Sequence, residues 1–188
     1  MATKPTIHRV TIDLSDVDRG VYEQLQMSVA RADSETAERL VVRLLAYCLC
    51  YEEGIRFTGG VSSGDEPDVW VTDLQPGMGE RVKLWIEVGL PKAERLLKAA
   101  RHCERVILFS YGKNRPKWES DHLEELGQRH NITVLGVDLQ ALSRLTDSID
   151  RQIAWSITVS GGTIYLTAGN DHIETSLKHI VGPPLVAE

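Results

Sequence analysis

Hydrophobic and polar residues alternate near the start of the chain, with the two-residue period of a β-strand. Over residues 6–14 this alternation places four side chains on one face: His8, Val10, Ile12 and Leu14. A turn cluster follows at 16–20, and residues 21–31 read as a returning strand. Two strands joined by a short turn predict an N-terminal β-hairpin.

Beyond this hairpin, the spacing of the hydrophobic residues becomes that of a helix. Between residues 35 and 52, apolar residues recur at helical spacing, at Ala37, Leu40, Val41, Leu44, Cys48 and Tyr51. Ser34 is the predicted N-cap of this helix, and Gly54 the predicted end signal. The next strands are predicted to form an antiparallel meander, at 55–58, 69–72 and 81–88, separated by a glycine-rich loop at 59–66 and a turn at 75–80.

After Pro91 the pattern indicates alternating helices and strands, which implies parallel neighbours joined by right-handed crossovers. A helix is expected after Pro91, followed by strand 106–109, helix 118–127, strand 132–137 and helix 139–147. Strands at 152–159 and 163–167 predict a C-terminal hairpin, and a last strand is expected near 172–180. The whole pattern predicts one α/β domain over residues 1–188, with a mixed β-sheet flanked by helices.

Composition changes this picture little. The 188 residues are 42% hydrophobic and 26% charged, as in an ordinary globular domain. The longest apolar stretch, 40–51, contains Arg43 and is too short to span a bilayer, so no membrane association is expected. The N-terminus lacks the apolar core of a signal peptide. Three cysteines form no disulfide framework, and we therefore expect a cytoplasmic protein.

Charge is unevenly distributed along the chain. The net charge is −6, but residues 92–117 contain eight lysines and arginines against two glutamates, so this segment carries +6 and the remainder −12. An acidic chain is a poor general nucleic-acid binder. A local basic segment such as 92–117 nevertheless fits contact with nucleic acid, although the same charges also fit a solvated helix surface. The sequence does not identify a protein partner.

Two carboxylates carry the clearest chemical pattern. Asp68 shares a strand face with Trp70, and Glu87 shares one with Trp85, because strand side chains alternate. If the two strands pair, Asp68 and Glu87 lie side by side and repel each other unless a cation or a proton lies between them. Oxygen ligands of this kind suit Mg²⁺ or Mn²⁺. A strand-end aspartate after proline is also a common turn residue.

Further charged groups lie within reach of this pair. Glu38 lies beside the apolar stripe of the first helix and is expected to reach the sheet edge, although an acid in a first turn also fits a helix-dipole role. Arg95 and Lys98 lie on the polar side of the helix after Pro91. Arg95 is nearer the start of that helix and is expected to be nearer Glu87.

These residues resemble a known family pattern. A helix containing Glu38, Pro67-Asp68 on one strand and Ile86-Glu87-Val88-Gly89 on the next resemble the PD-(D/E)XK nuclease superfamily. The chain as a whole resembles the YaeQ family of bacterial proteins, on the stretches Ser34–Arg39, Arg43–Ala46, Asp65–Asp68 and Leu84–Pro91.

The resemblance implies a restriction-endonuclease-like fold. It also implies that Asp68, Glu87 and the backbone carbonyl of Val88 are Mg²⁺ ligands, with Glu38 as the helix glutamate of the motif. The motif lysine falls at Gly89, which can neither position a water nor stabilise charge. Some superfamily members carry the cation on the following helix, which nominates Arg95 or Lys98 as the catalytic cation.

Two functional hypotheses follow. The first is a metal-dependent phosphodiesterase, most simply a nuclease, with Asp68 and Glu87 as its centre. The second is a non-catalytic module that keeps the nuclease fold and binds protein or nucleic acid, as Gly89 and the acidic net charge favour. Neither the substrate nor the oligomeric state follows from the sequence.

Overall fold

The structure is a computed structural model that describes residues 5–58, 66–75 and 79–185. Most of the glycine-rich loop predicted at 59–66, and the centre of the turn predicted at 75–80, lie outside the described residues.

The described residues form eleven strands and four helices. The strands are β1 (Thr6–Asp16), β2 (Val21–Arg31), β3 (Arg56–Phe57), β4 (Val69–Gln75), β5 (Gly79–Val88), β6 (Arg105–Ser110), β7 (Ile132–Gly136), β8 (Gln152–Ser160), β9 (Thr163–Ala168), β10 (Asp171–Ser176) and β11 (Lys178–Val181). The helices are α1 (Ala37–Leu49), α2 (Ala93–Ala100), α3 (Arg115–Gly127) and α4 (Leu139–Asp147). The mixed α/β class and its flanking helices are confirmed.

Both predicted hairpins are present, and together they form a separate sheet. β1 pairs antiparallel with β2, and β8 pairs antiparallel with β9. β1 and β8 then pair in parallel, which gives a five-stranded sheet in the order β10-β9-β8-β1-β2. The described residues therefore form two mixed sheets, and the predicted hairpins contribute four of the five strands of this one.

The second sheet has six strands in the order β11-β7-β6-β5-β4-β3. β5, β6 and β7 are parallel, as predicted, and β3, β4 and β5 form the predicted antiparallel meander. The single strand predicted at 172–180 is wrong, because this segment divides at Leu177. β10 joins the five-stranded sheet, whereas β11 pairs antiparallel with β7 in the six-stranded sheet.

The larger core lies between the two sheets and contains α1 and α4. α1 is buried on nearly all sides because both sheets cover it, as expected for a helix that is apolar around most of its circumference. Its N-cap is Thr36, whose side chain accepts a hydrogen bond from the backbone of Arg39, and not Ser34 as predicted. A smaller core holds α2 and α3 against the opposite face of the six-stranded sheet.

Candidate functional site

The register between β4 and β5 brings the two predicted carboxylates together. Val69 pairs with Ile86 at the end of the ladder, and the backbone N–H of Asp68 donates to the carbonyl of Ile86 at 3.0 Å. The next position therefore sets Asp68 opposite Glu87, at the end where β5 leaves the sheet. The predicted side-by-side arrangement is confirmed.

Both carboxylates are removed from solvent. Asp68 and Glu87 are each only 4% exposed. Charged groups are rarely buried to this extent without partners that offset the cost of desolvation. Each carboxylate has such partners, and in each case a guanidinium group is one of them.

Asp68 is held by a backbone amide and by Arg39. Its Oδ2 accepts a hydrogen bond from the N–H of Val88 at 2.9 Å, and its Oδ1 accepts one from Nη2 of Arg39. Nη1 of the same guanidinium donates to the carbonyl oxygen of Val88 at 2.9 Å. Arg39 therefore bridges two of the oxygen atoms that the sequence pattern nominated as metal ligands.

Sequence reasoning missed Arg39. The motif directed attention to Glu38, its neighbour in the first turn of α1. A basic residue in a first turn faces the positive end of the helix dipole, which is an unfavourable position for it. That anomaly was the available signal that Arg39 has a partner elsewhere.

Glu87 is held by Arg95 and Trp85. Its Oε1 accepts hydrogen bonds from Nε of Arg95 at 2.7 Å and from Nε1 of Trp85 at 2.9 Å. Burial, and then the negative charge of Asp68, raise the pKa of Glu87 to about 7, although Arg95 and the two hydrogen bonds act in the opposite direction. The predicted closeness of Arg95 to Glu87 is confirmed.

Glu38 and Lys98 are both exposed, unlike this pair. Glu38 on α1 faces solvent instead of being shielded from it, and its expected reach to the sheet edge stays a prediction. Its role as a metal ligand stays a prediction. Lys98 is exposed on α2 and lines a cleft together with Arg95 and Trp85.

Gly89, at the position of the motif lysine, has a positive φ of 103°. Side chains with a Cβ rarely adopt this backbone conformation, which glycine tolerates. A Cβ here would meet Arg39 Nη1 at 3.7 Å and Tyr111 Cε1 at 3.9 Å, so backbone strain rather than space opposes a side chain. A side chain at this position would therefore strain the backbone where the chain leaves β5.

The donor atoms at the pair suit a hard divalent cation in their chemistry, since they are carboxylate and carbonyl oxygens. Within residues 5–58, 66–75 and 79–185, however, no group of three or more His, Cys, Asp or Glu side chains is placed to hold a metal ion. Two arginines supply the positive charge instead. A divalent ion bound by Asp68, Glu87 and the Val88 carbonyl would take the place of the Arg39 guanidinium.

The basic segment 92–117 is only partly available for a ligand. Arg105 pairs with Glu52 at 2.5 Å, and Arg115 contacts Glu119 at 3.1 Å. Lys117 is exposed. The basic group that this segment places beside the carboxylate pair is Arg95 of α2.

The fold and this site define an α/β protein in which two mixed sheets enclose a helix and a buried carboxylate pair lies at the end of a parallel strand. The family model described as YaeQ protein matches residues 1–177, and the chain belongs to the YaeQ family. It is 33% identical over 178 residues to the uncharacterized protein YaeQ of Salmonella typhi and 32% identical to that of Escherichia coli (strain K12). Each alignment covers 94% of this chain and 96% of the relative.

Two crystal structures of YaeQ proteins have the same fold. The protein from Pseudomonas syringae is 37% identical and superposes with a TM-score of 0.88, covering 95% of this chain and 97% of the other. The protein from Xanthomonas axonopodis pv. citri is 30% identical, with a TM-score of 0.89 and coverage of 95% and 99%. Among the described residues, no helix is both long and apolar enough to cross a membrane.

Proposed function

We propose that this protein is a divalent-cation-dependent phosphodiester hydrolase that acts on nucleic acid. The observation that carries the proposal is the pairing of two buried carboxylates, Asp68 and Glu87, opposite each other on β4 and β5. Such a pair repels itself unless a cation or a proton is shared between its members. The motif order that resembles the PD-(D/E)XK superfamily supports the same reaction.

Each residue of the site has a distinct part in the proposed reaction. Asp68, Glu87 and the carbonyl of Val88 would hold Mg²⁺ or Mn²⁺ after Arg39 has turned away. A cation bound there supplies an activated water and charge stabilisation at phosphorus. The guanidinium of Arg95 has hydrogen-bond donors but no acceptor, so its part is to hold the substrate phosphate by charge.

The protonation of Glu87 links cation binding to pH. With a pKa of about 7, this carboxyl carries a proton in roughly half of the molecules at neutral pH. A divalent cation requires the carboxylate form, so binding releases that proton. Cation affinity at this site should therefore increase as the pH rises through 7.

A cleavage assay tests the proposal. Purified protein is incubated with single- and double-stranded DNA and RNA in Mg²⁺ or Mn²⁺, beside the nearly isosteric variants Asp68→Asn and Glu87→Gln. We expect cation-dependent cleavage by the wild-type protein that each variant loses. Cleavage no greater than that of the double variant Asp68→Asn/Glu87→Gln would rule out the proposed reaction.

A second function is favoured by two specific observations. Arg39 already neutralises Asp68 and bonds to the Val88 carbonyl, and the backbone at Gly89 does not suit the lysine of the motif. Both fit a non-catalytic module in which the arginines make the carboxylate pair a permanent structural unit. Cation-dependent turnover that disappears in Glu87→Gln would exclude this alternative.

A further inference from the structure

A cleft lies beside the carboxylate pair, between β5 and α2. Its volume is about 400 Å³, and it is lined by Val82, Trp85, Arg95, Lys98, Ala99, His102 and Cys103. Strict alternation along β5 would place Val82 on the opposite face from Trp85. A β-bulge reverses this, because Val71 pairs with Leu84 but Thr72 pairs with Val82, so Lys83 is the extra residue.

The lining of the cleft combines cationic groups with an aromatic ring. Arg95, Lys98 and His102 supply nitrogen donors, and the half-buried indole of Trp85 supplies an apolar surface. Among the lining residues that the structure describes, none is acidic, although the chain as a whole carries −6. This combination is selective for a ligand that has both an anionic group and a flat ring.

Two residues that line the cleft also contact Glu87 of the carboxylate pair. Trp85 and Arg95 line it, and both donate hydrogen bonds to Oε1 of Glu87. The guanidinium of Arg95 also lies over the Trp85 ring, with its Cζ 5.6 Å from the ring centroid. A ligand in the cleft would therefore contact the same side chains that orient Glu87.

The size of the cleft restricts the form of the ligand. A concavity of about 400 Å³ is within the range of small-ligand pockets, which is large enough for one nucleotide. A duplex is a far wider object, whose major groove alone is about 12 Å across. Only an unstacked nucleotide can present its base to a site of this kind.

We infer that this cleft binds one nucleotide of a single-stranded nucleic acid, with its base against Trp85 and its phosphate held by Lys98 and His102. The inference rests on the proposed function for its place next to a scissile phosphate, and it adds that the substrate is single-stranded. The binding itself requires no metal ion and no turnover, so it is measurable separately.

Binding of a fluorescein-labelled twelve-residue oligothymidylate, followed by anisotropy in EDTA, tests the cleft on the full-length protein. Lys98→Gln should weaken binding by about tenfold. It should also reduce the slope of log affinity against log salt concentration by about one, the value for one lost phosphate contact. Trp85→Leu should also weaken it by about tenfold, through lost stacking. Lys178→Gln is the matched control, because Lys178 is exposed but lies outside both the cleft and the basic segment 92–117. It should change affinity by less than about twofold.

The outcomes separate this inference from the proposed reaction. If Lys98→Gln selectively loses oligothymidylate binding and the wild-type protein does not cleave in Mg²⁺ or Mn²⁺, then nucleotide binding in the cleft is supported and the proposed hydrolysis is rejected. If the wild-type protein cleaves but Lys98→Gln binds oligothymidylate as tightly as the wild type, then hydrolysis is supported and nucleotide binding in the cleft is rejected. Duplex DNA bound as tightly as the single strand, or thymidine monophosphate bound as tightly as the oligonucleotide, would overturn the inference. Circular dichroism spectra establish that each variant is folded.

Discussion

Arg39, in the first turn of α1, donates a hydrogen bond to the buried carboxylate of Asp68, 29 residues further along the chain. The side chain of Arg39 is 33% exposed, whereas that of Asp68 is 4% exposed. The arginine therefore covers the carboxylate from the solvent side. In the proposed reaction, it is the group that an incoming cation or substrate phosphate would meet first.

Removing Arg39 should make the site dependent on an external cation. Arg39→Ala leaves the charge of Asp68 without its guanidinium, at a cost of about 1–3 kcal/mol, less than for a fully buried pair because Arg39 is partly exposed. Mn²⁺ should restore much of this stability, since a ligand at one hundred times its Kd adds about 2.7 kcal/mol. The measurement is the unfolding midpoint with and without Mn²⁺.

The double variant Arg39→Ala/Asp68→Asn is the control for that experiment. It lacks both the guanidinium and the carboxylate charge, so its midpoint should not respond to Mn²⁺. An equal response in the wild-type protein, Arg39→Ala and the double variant would show that the ion binds elsewhere.

Glu87 should make stability fall as the pH rises. Its pKa is raised from 4.5 to about 7 in the folded state, so between these values the folded protein holds a proton that the unfolded chain has lost. The contribution of Glu87 to stability is therefore greatest below about pH 4.5, decreases through this window and is lost above it, with a total change of about 3 kcal/mol.

Glu87→Gln removes this titration and isolates it from the other groups. The difference in unfolding free energy between the wild-type protein and Glu87→Gln, from urea titrations at pH 5 and pH 8, should shift in favour of the variant at the higher pH. A difference that does not change with pH would contradict the raised pKa.

Restoring the motif lysine should destabilise the protein. Gly89→Lys and Gly89→Ala both force a Cβ onto a backbone with a φ of 103°, which costs about 1–3 kcal/mol. Because no atom crowds the position closely, the two variants should lose similar amounts, with urea m-values unchanged. A Gly89→Lys protein as stable as the wild type would show that the backbone readily adapts.

A second ion pair offers a test of buried charge away from the site. Arg43 and Glu35 contact each other at 2.8 Å, with side chains 3% and 7% exposed. Glu35→Ala should cost about 3–5 kcal/mol, because it leaves the guanidinium buried and unpaired. Glu52→Ala, which breaks the more exposed pair with Arg105, should cost less than about 1 kcal/mol in the same denaturation experiment. Equal losses would contradict the role of burial.

Local pattern predicted most of the elements and one long-range relationship. The hairpins, the meander and the parallel strands follow from periodicity and turn residues, which act over a few neighbouring positions. Asp68 and Glu87 could be placed on neighbouring strands in advance because a single turn joins those strands. The bulge at Lys83 then sets them opposite each other, since the register at the turn alone would pair Asp68 with Ile86. The same reasoning placed Arg95 near Glu87, since only a few residues separate β5 from α2.

Other features depend on contacts that local pattern does not encode. The parallel pairing of β1 with β8 joins strands more than 130 residues apart, and the division of 172–180 between two sheets depends on which edges are unpaired after the rest has folded. The bulge at Lys83 moves Val82 into the cleft, and alternation alone could not predict an inserted residue.

The sequence by itself determined the chemical identity of the site: two carboxylates at neighbouring strand ends, a glycine after the second, and a basic helix beyond. The tertiary structure alone decided what neutralises Asp68. Arg39 reaches this carboxylate because packing α1 between the two sheets brings its first turn to the end of β5, and this position depends on the whole core rather than on nearby residues.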